Sequence, residues 1–227
     1  MHGPTRADHR VLIVDDHVLF AESLELALSL EGYDVRRLEL PEEGGSMATL
    51  RSLALRANPR TVILDLDLGR FGDGANLIPS LAHAHINVVV VTASQELGRW
   101  GQCMRLGARK VLTKSGALQQ ALSTVRRLHQ GLPVTTREEL ESLLDAWSHQ
   151  SQVDDDIRRR LDRLTPRERQ VLEALMEGRT VRTISQDSVV SEATVRTQVK
   201  SILNKLEVSS QLAAVGMANQ IGWRLGV

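Results

Sequence analysis

A threonine and three apolar residues run into an Asp-Leu-Asp triplet and then a glycine-rich turn in TVILDLDLGRFGDG, residues 61–74. Carboxylates at the end of an apolar run are costly to bury unless a cation pairs with them. The chain places further charges in the same kind of position: Asp15-Asp16 end the run VLIVDD, and Lys114 ends VLTK. Three carboxylates gathered from such ends repel unless a cation sits among them. Mg²⁺ suits that setting, because it binds through one or two carboxylates, waters and phosphate oxygens. A carboxylate beside the ion can act as nucleophile toward a phosphoryl group, while ion and lysine neutralise charge on the transferring oxygens. The lysine is informative by its rarity, one of four against 24 arginines. A compact ammonium suits a single phosphoryl oxygen better than a guanidinium fork does. Thr92, at the end of NVVVVT, adds a hydroxyl at the same level. His17, directly after the acidic pair, reads as a surface histidine rather than a ligand, and Cys103 as a helix-packing residue.

These residues meet only if the elements carrying them lie side by side. Five apolar runs (RVLIVDD, YDVRRLEL, TVILDLD, NVVVVTAS and RKVLTKSG) alternate with segments of helical length such as AESLELALSLEG and ALQQALSTVRRLHQG. Runs that are apolar throughout imply strands covered on both faces, and the alternation implies parallel pairing. The prediction is an α/β doubly wound, five-stranded parallel sheet, a flavodoxin-like arrangement that binds ligands at the carboxyl ends of its strands. It occupies residues 8–131. Residues 132–160 read as an exposed linker, partly helical, ending in the charge run DDD at 154–156.

Residues 161–227 predict a small all-α domain. LTPRERQVLEALMEG opens with Thr165 as N-cap, Pro166 at the first helical position and Glu168 completing a capping box. A short helix over TVRTISQDS follows, then a basic helix capped by Ser191, which makes a helix-turn-helix. That last helix puts Val195, Val199, Ile202 and Leu206 on one face, with Arg196, Thr197 and Lys200 on the flank open to a major groove.

Composition narrows the function classes. One cysteine excludes an intramolecular disulfide and a paired-cysteine metal site. The polar N-terminus MHGPTRADHR has no apolar signal region, and no run approaches the length a bilayer requires, so a cytoplasmic protein without membrane contact is expected. The net charge of zero hides a split: residues 1–156 carry 16 Lys/Arg against 21 Asp/Glu, and residues 157–227 carry 12 against 7. A basic C-terminal part points toward nucleic acid.

The motifs VLIVDD, VILDLDLG, VVVVTAS and GARKVLTK resemble those of a response-regulator receiver domain of two-component signalling. Residues 161–227 resemble the LuxR-type output domain of NarL/FixJ-class regulators. The first resemblance implies Asp65 as phosphoacceptor for a partner histidine kinase, with Asp16 a direct Mg²⁺ ligand and Asp15 acting through water. The backbone carbonyl of Asp67 completes that set, and Thr92 and Lys114 serve the phosphoryl group. The second implies Arg196, Thr197 and Lys200 at bases of double-stranded DNA, and Ser191, Thr194 and Lys205 nearer its backbone. The last helix, about 210–221, resembles the family's dimerising element, so a homodimer is expected. The chain also departs from the family. Leu68-Gly69 stands in place of a Met-Pro pair, Gly74 comes one place late, and Val111 replaces an aromatic switch residue. In the helix-turn-helix, Thr183-Ile184-Ser185, Ser188 and Gln198 replace Glu-Ile-Ala, an apolar residue and a histidine. Two alternatives remain from the residues. One is a phosphorylation-independent DNA-binding regulator whose receiver is a dimerisation module. The other is a phosphatase using the Asp-x-Asp pair, which leaves the helix-turn-helix unexplained.

Overall fold

The computed structural model describes residues 10–40 and 45–225, which divide into two compact units between Ser148 and His149. The first unit holds β1 (Arg10–Val14), α1 (Val18–Leu30), β2 (Asp34–Arg37), α2 (Met47–Arg56), β3 (Thr61–Asp65) and α3 (Ile78–His83). It continues with β4 (Asn87–Thr92), α4 (Leu97–Leu106), β5 (Lys110–Thr113) and α5 (Ala117–His129). The sheet order is β2-β1-β3-β4-β5 with every pair parallel, as the sequence predicts. The apolar runs are strands because their side chains alternate between two separate cores. Val62, Leu64, Val88 and Val90 face one layer with Leu50, Leu81 and Cys103 from α2, α3 and α4. Ile63, Val89 and Val91 face the other with Leu24 and Val125 from α1 and α5. Strand order reverses at β1, so the carboxyl ends of β1 and β3 flank the crevice where such sheets bind ligands.

Residues 137–162 of the stretch read as a linker and its end form one helix, α6 (Arg137–Asp162), and the division between the units falls inside it. Its first half packs on α4 and β5. Leu143 is buried, Lys110 Nζ donates to both carboxylate oxygens of Glu139 at 2.6 and 2.7 Å, and the Arg105 guanidinium lies over the Trp147 ring. The close approach depends on Gly101 of α4, where a Cβ would overlap the Leu143 carbonyl oxygen and crowd Trp147 Cβ.

The second unit continues with α7 (Pro166–Met176), α8 (Val181–Asp187), α9 (Glu192–Leu206) and α10 (Gln211–Gln220). Thr165 caps α7 through the Glu168 N–H, with the Glu168 side chain returning to the cap, and Ser191 caps α9 through the Thr194 N–H. The end of α6 contributes Ile157 and Leu161 to a core with Leu172, Ile184, Val195 and Ile202. No helix among the described residues is long and apolar enough to cross a membrane.

Two glycine substitutions test the α4–α6 contact. Alanine favours helix interiors over glycine by up to about 1 kcal/mol, so Gly216→Ala in α10, where a Cβ meets open space, is expected to raise the melting temperature. Gly101→Ala is expected to lower it by the equivalent of about 1–3 kcal/mol, the usual range for overpacking. Thermal unfolding of both variants checks the opposite signs.

Candidate functional site

The carboxyl ends of β1, β3 and β5 bring Asp15, Asp16, Asp65 and Lys114 together. Lys114 is aimed by its own backbone, whose N–H donates to the Thr92 carbonyl at 2.8 Å and so ties the end of β5 to β4. From there Nζ donates to Asp65 Oδ2 at 2.7 Å and to Asp15 Oδ1 at 3.0 Å. The Asp15 and Asp65 side chains are only 2% and 3% exposed, Lys114 is 16% exposed, and Asp16 is more open at 31%. Burial pushes the Asp65 carboxyl above its usual range; Lys114 opposes that shift and the Asp15 charge adds to it. Burial also works against the charged ammonium of Lys114, but its bonds to Asp65 and Asp15 outweigh this and raise its proton affinity.

The loop after Asp65 is a tight excursion rather than an open one. Asp67 and Asp73 form an antiparallel bridge, and the Gly74 N–H donates to the Leu66 carbonyl at 2.8 Å. A Cβ at Gly74 would overlap the Asp65 carbonyl, so only glycine lets the chain return this close to the strand end. Asp67 turns its side chain to the Gly69 N–H at 3.0 Å, and its own N–H donates to Asp65 Oδ1 at 3.3 Å. Asp73 caps the next turn through the Ala75 N–H and pairs with Arg99 of α4. Thr92 is buried, and its hydroxyl accepts from the Ser94 N–H at 3.1 Å. Val111 is buried in the core, where it packs as a small branched side chain.

Asp65, Thr92 and Lys114 face a cleft of about 560 Å³, and the acidic pair also borders a neighbouring cleft of about 870 Å³. Carboxylate oxygens are the donors that hard divalent cations take, so the donor set fits Mg²⁺. Sequence reasoning missed one member of the cluster. His17 is 60% exposed, as a surface histidine should be, yet its Nδ1 lies 2.7 Å from Asp16 Oδ1. Single ligand atoms of Asp15, Asp16, His17 and Asp65 all fall within 4.8 Å of one another. The signal in the sequence was adjacency to the pair, which alone does not say where a ring points.

In the second unit, α9 buries Val195, Val199, Ile202 and Leu206 and exposes Ser191, Thr194, Arg196, Thr197 and Lys200. Arg196 pairs with Glu192 one turn earlier, an exposed contact worth little. Lys205 is differently placed. Its ammonium bonds at 2.7 Å to Glu168, which is 6% exposed and also accepts from Ser201 at 2.7 Å and from the Thr165 N–H at 2.7 Å. Burial alone would raise the Glu168 carboxyl, but Lys205, Ser201 and Thr165 together hold it down at about 2. Gln198 is half-buried with its Oε1 turned inward, where it has no hydrogen-bond partner among the described residues.

A doubly wound sheet with two aspartates, a third and a lysine at its switch point, followed by a helix-turn-helix unit, defines the class of two-component response regulators. Residues 11–126 match the family described as response regulator receiver domain, and residues 162–218 match the bacterial regulatory proteins of the luxR family. The chain belongs to the response regulators and carries a LuxR-type DNA-binding domain, the composition of a transcription regulator. Among curated relatives, it is 26% identical over 207 residues to the nitrate/nitrite response regulator protein homolog of Haemophilus influenzae, covering 90% of this chain and 93% of that one. It is 28% identical over 217 residues to the transcriptional regulatory protein FixJ of Rhizobium meliloti, covering 93% and 95%. The RcsB response regulator of Salmonella typhimurium shares the fold, with a TM-score of 0.50 at 22% identity over 92% of this chain and 98% of that one.

The buried Glu168 predicts an acid limb of stability. Its folded value near 2 lies below the ordinary 4.5, so its contribution is complete above about pH 4.5 and disappears as pH falls toward 2. The shift is worth on the order of 3 kcal/mol. Melting curves between pH 7 and 2 are expected to fall more steeply for the wild type than for Glu168→Gln, which cannot titrate.

Proposed function

We propose that this protein is a DNA-binding transcription regulator switched by Mg²⁺-dependent phosphorylation of Asp65, with a partner histidine kinase as phosphodonor. The observation that carries the reading is the Asp65 carboxylate at a strand end, bonded to Lys114 and flanked by Asp15 and Asp16. Asp15, Asp16 and Asp65, with the Asp67 carbonyl, are the residues that would hold Mg²⁺, which when bound supplies positive charge for the phosphoryl oxygens. The chain's own groups do the rest. An Asp65 carboxylate oxygen attacks phosphorus, and the acyl phosphate bond forms as the bond to the donor nitrogen breaks. Lys114, already within hydrogen-bond reach of Asp65, exchanges that contact for a phosphoryl oxygen. The Thr92 hydroxyl, at the end of the adjacent strand, is the second donor for that group.

Phosphate adds charge at the strand ends and biases an equilibrium between arrangements of the protein. The favoured arrangement is a homodimer that binds paired half-sites on double-stranded DNA. The exposed flank of α9 supports DNA contact through Arg196, Thr197 and Lys200 at base edges, with Ser191 and Thr194 at the capped helix start near phosphate. Lys205 is held by Glu168, so its part is to brace α9 first and to reach the DNA backbone with its remaining donors.

Intact mass after incubation with Mg²⁺ and a small-molecule phosphodonor, beside an Asp65→Asn control, tests the switch. One added phosphoryl group in the wild type alone, accompanied by tighter binding to a target DNA, is the expected result. A chain that binds DNA equally well before and after treatment, with no mass gain from donor or kinase, would instead favour the phosphorylation-independent regulator with a dimerising receiver.

A further inference from the structure

The cleft over Asp65 has a second cation in its wall. Arg99, in the first turn of α4, lines the same space of about 560 Å³ as Asp65, Thr92 and Lys114. Its place there does nothing for the helix. A positive charge in a first turn opposes the helix dipole. The helix supplies no anion to offset it, since no acidic residue stands in that turn and Glu96 makes no side-chain cap. Nor is Arg99 turned to solvent, because its side chain is only 27% exposed. Nη1 donates to Gln102 Oε1 within α4, and Nη2 pairs with Asp73 Oδ2 of the loop that follows Asp65.

That pair is readily exchanged. Asp73 uses Oδ1 to accept from the Ala75 N–H at 2.9 Å, so the turn keeps its cap when Arg99 leaves Oδ2. The Asp73 side chain is 37% exposed, and ion pairs open to water contribute little. A phosphoryl group on Asp65 is a stronger partner. It turns one negative charge into about two and adds oxygens that accept charge-assisted hydrogen bonds. It also enters a cleft that Asp67, Asp73 and Glu96 already line. Lys114 does not meet that increase alone, because its ammonium also serves Asp15 at 3.0 Å. A guanidinium, with several donors in a rigid fork, suits an anion with several open oxygens.

We propose that Arg99 is a second cationic contact for phosphorylated Asp65, its guanidinium moving from Asp73 Oδ2 to a phosphoryl oxygen when the group arrives. This rests on the reading of Asp65 as phosphoacceptor. Because Arg99 belongs to α4, the contact ties the phosphoryl group to that helix directly, which the buried valine at position 111 has no ring to do.

The test uses beryllofluoride, which binds a carboxylate oxygen and keeps the tetrahedral, anionic form of a phosphoryl group without group transfer. Calorimetric titration of the full chain in excess MgCl₂ and NaF compares wild type, Arg99→Gln, Asp73→Asn and Asp65→Asn. Wild type is expected to bind the anion and Asp65→Asn is not. Arg99→Gln is expected to lose about tenfold or more in affinity, the range for one hydrogen bond to a charged group. Its Mg²⁺ affinity, measured without beryllium, should match that of the wild type. Asp73→Asn, whose amide oxygen still caps Ala75, should bind as tightly as wild type or tighter, because Arg99 no longer has a carboxylate to leave. Equal losses in the Arg99 and Asp73 variants overturn the proposal, since they mark the pair as a staple that shapes the loop. Unchanged affinity in Arg99→Gln also overturns it, as does a matching loss of Mg²⁺ binding. If the wild type binds Mg²⁺ but no beryllofluoride, the phosphoacceptor reading fails and this contact with it; if the wild type binds the anion and Arg99→Gln equals it, the contact fails alone.

Discussion

Three carboxylates and one ammonium meet at the end of this sheet, and the rest of the first unit is arranged around that imbalance. The Asp15 and Asp65 side chains are almost wholly buried and share Lys114, while the Asp16 side chain is more open and lies beside the ring of His17. With each group in its usual ionisation state, the cluster is short of two positive charges, which is what a divalent cation carries. Burial already favours a proton on Asp65, so the site holds its anionic form reluctantly. A phosphoryl group enters such a site only with a cation to accompany it. The parallel sheet makes the cluster possible, because its order puts the ends of β1, β3 and β5 on one edge although Asp15 and Lys114 are 99 residues apart in the chain.

The connections that leave this site differ from those the family motifs lead one to expect. Position 111 holds a buried valine in the core, with no ring to rearrange. The loop after Asp65 passes through Asp73, which pairs with Arg99 of α4, and returns to the strand end at Gly74. Trp100 of the same helix donates its indole N–H to the Ser94 carbonyl, two residues past Thr92. The strand ends are therefore tied to α4 by two polar contacts, and α4 is the helix whose Gly101 admits the first half of α6.

Much of this was legible in the sequence, for local reasons. Each of the five apolar runs supplies side chains to both cores, and that pattern survives translation into one dimension. The capping box of α7 and the buried stripe of α9 are likewise short-range signals. What was not legible depends on distant partners. The stretch from 132 to 160 looks like a solvated linker because its few apolar residues, among them Leu143, Trp147 and Ile157, pack against two different units rather than forming one stripe. Lys205 looks like a free cation until Glu168, 37 residues away, is seen to hold it. His17 is ambiguous for a similar reason, since a ring beside two aspartates can face either water or the cluster.

The most direct test of the central claim is the melting temperature of the full chain as Mg²⁺ is raised at constant ionic strength. A cation that binds only the folded site stabilises it by about 1.4 kcal/mol at ten times its dissociation constant. The account predicts a saturating rise in the wild type and a flat response when Asp15 and Asp16 are both replaced by asparagine. A wild-type melting temperature indifferent to millimolar Mg²⁺, or an equal rise in the double variant, would contradict the claim that this cluster binds a divalent cation.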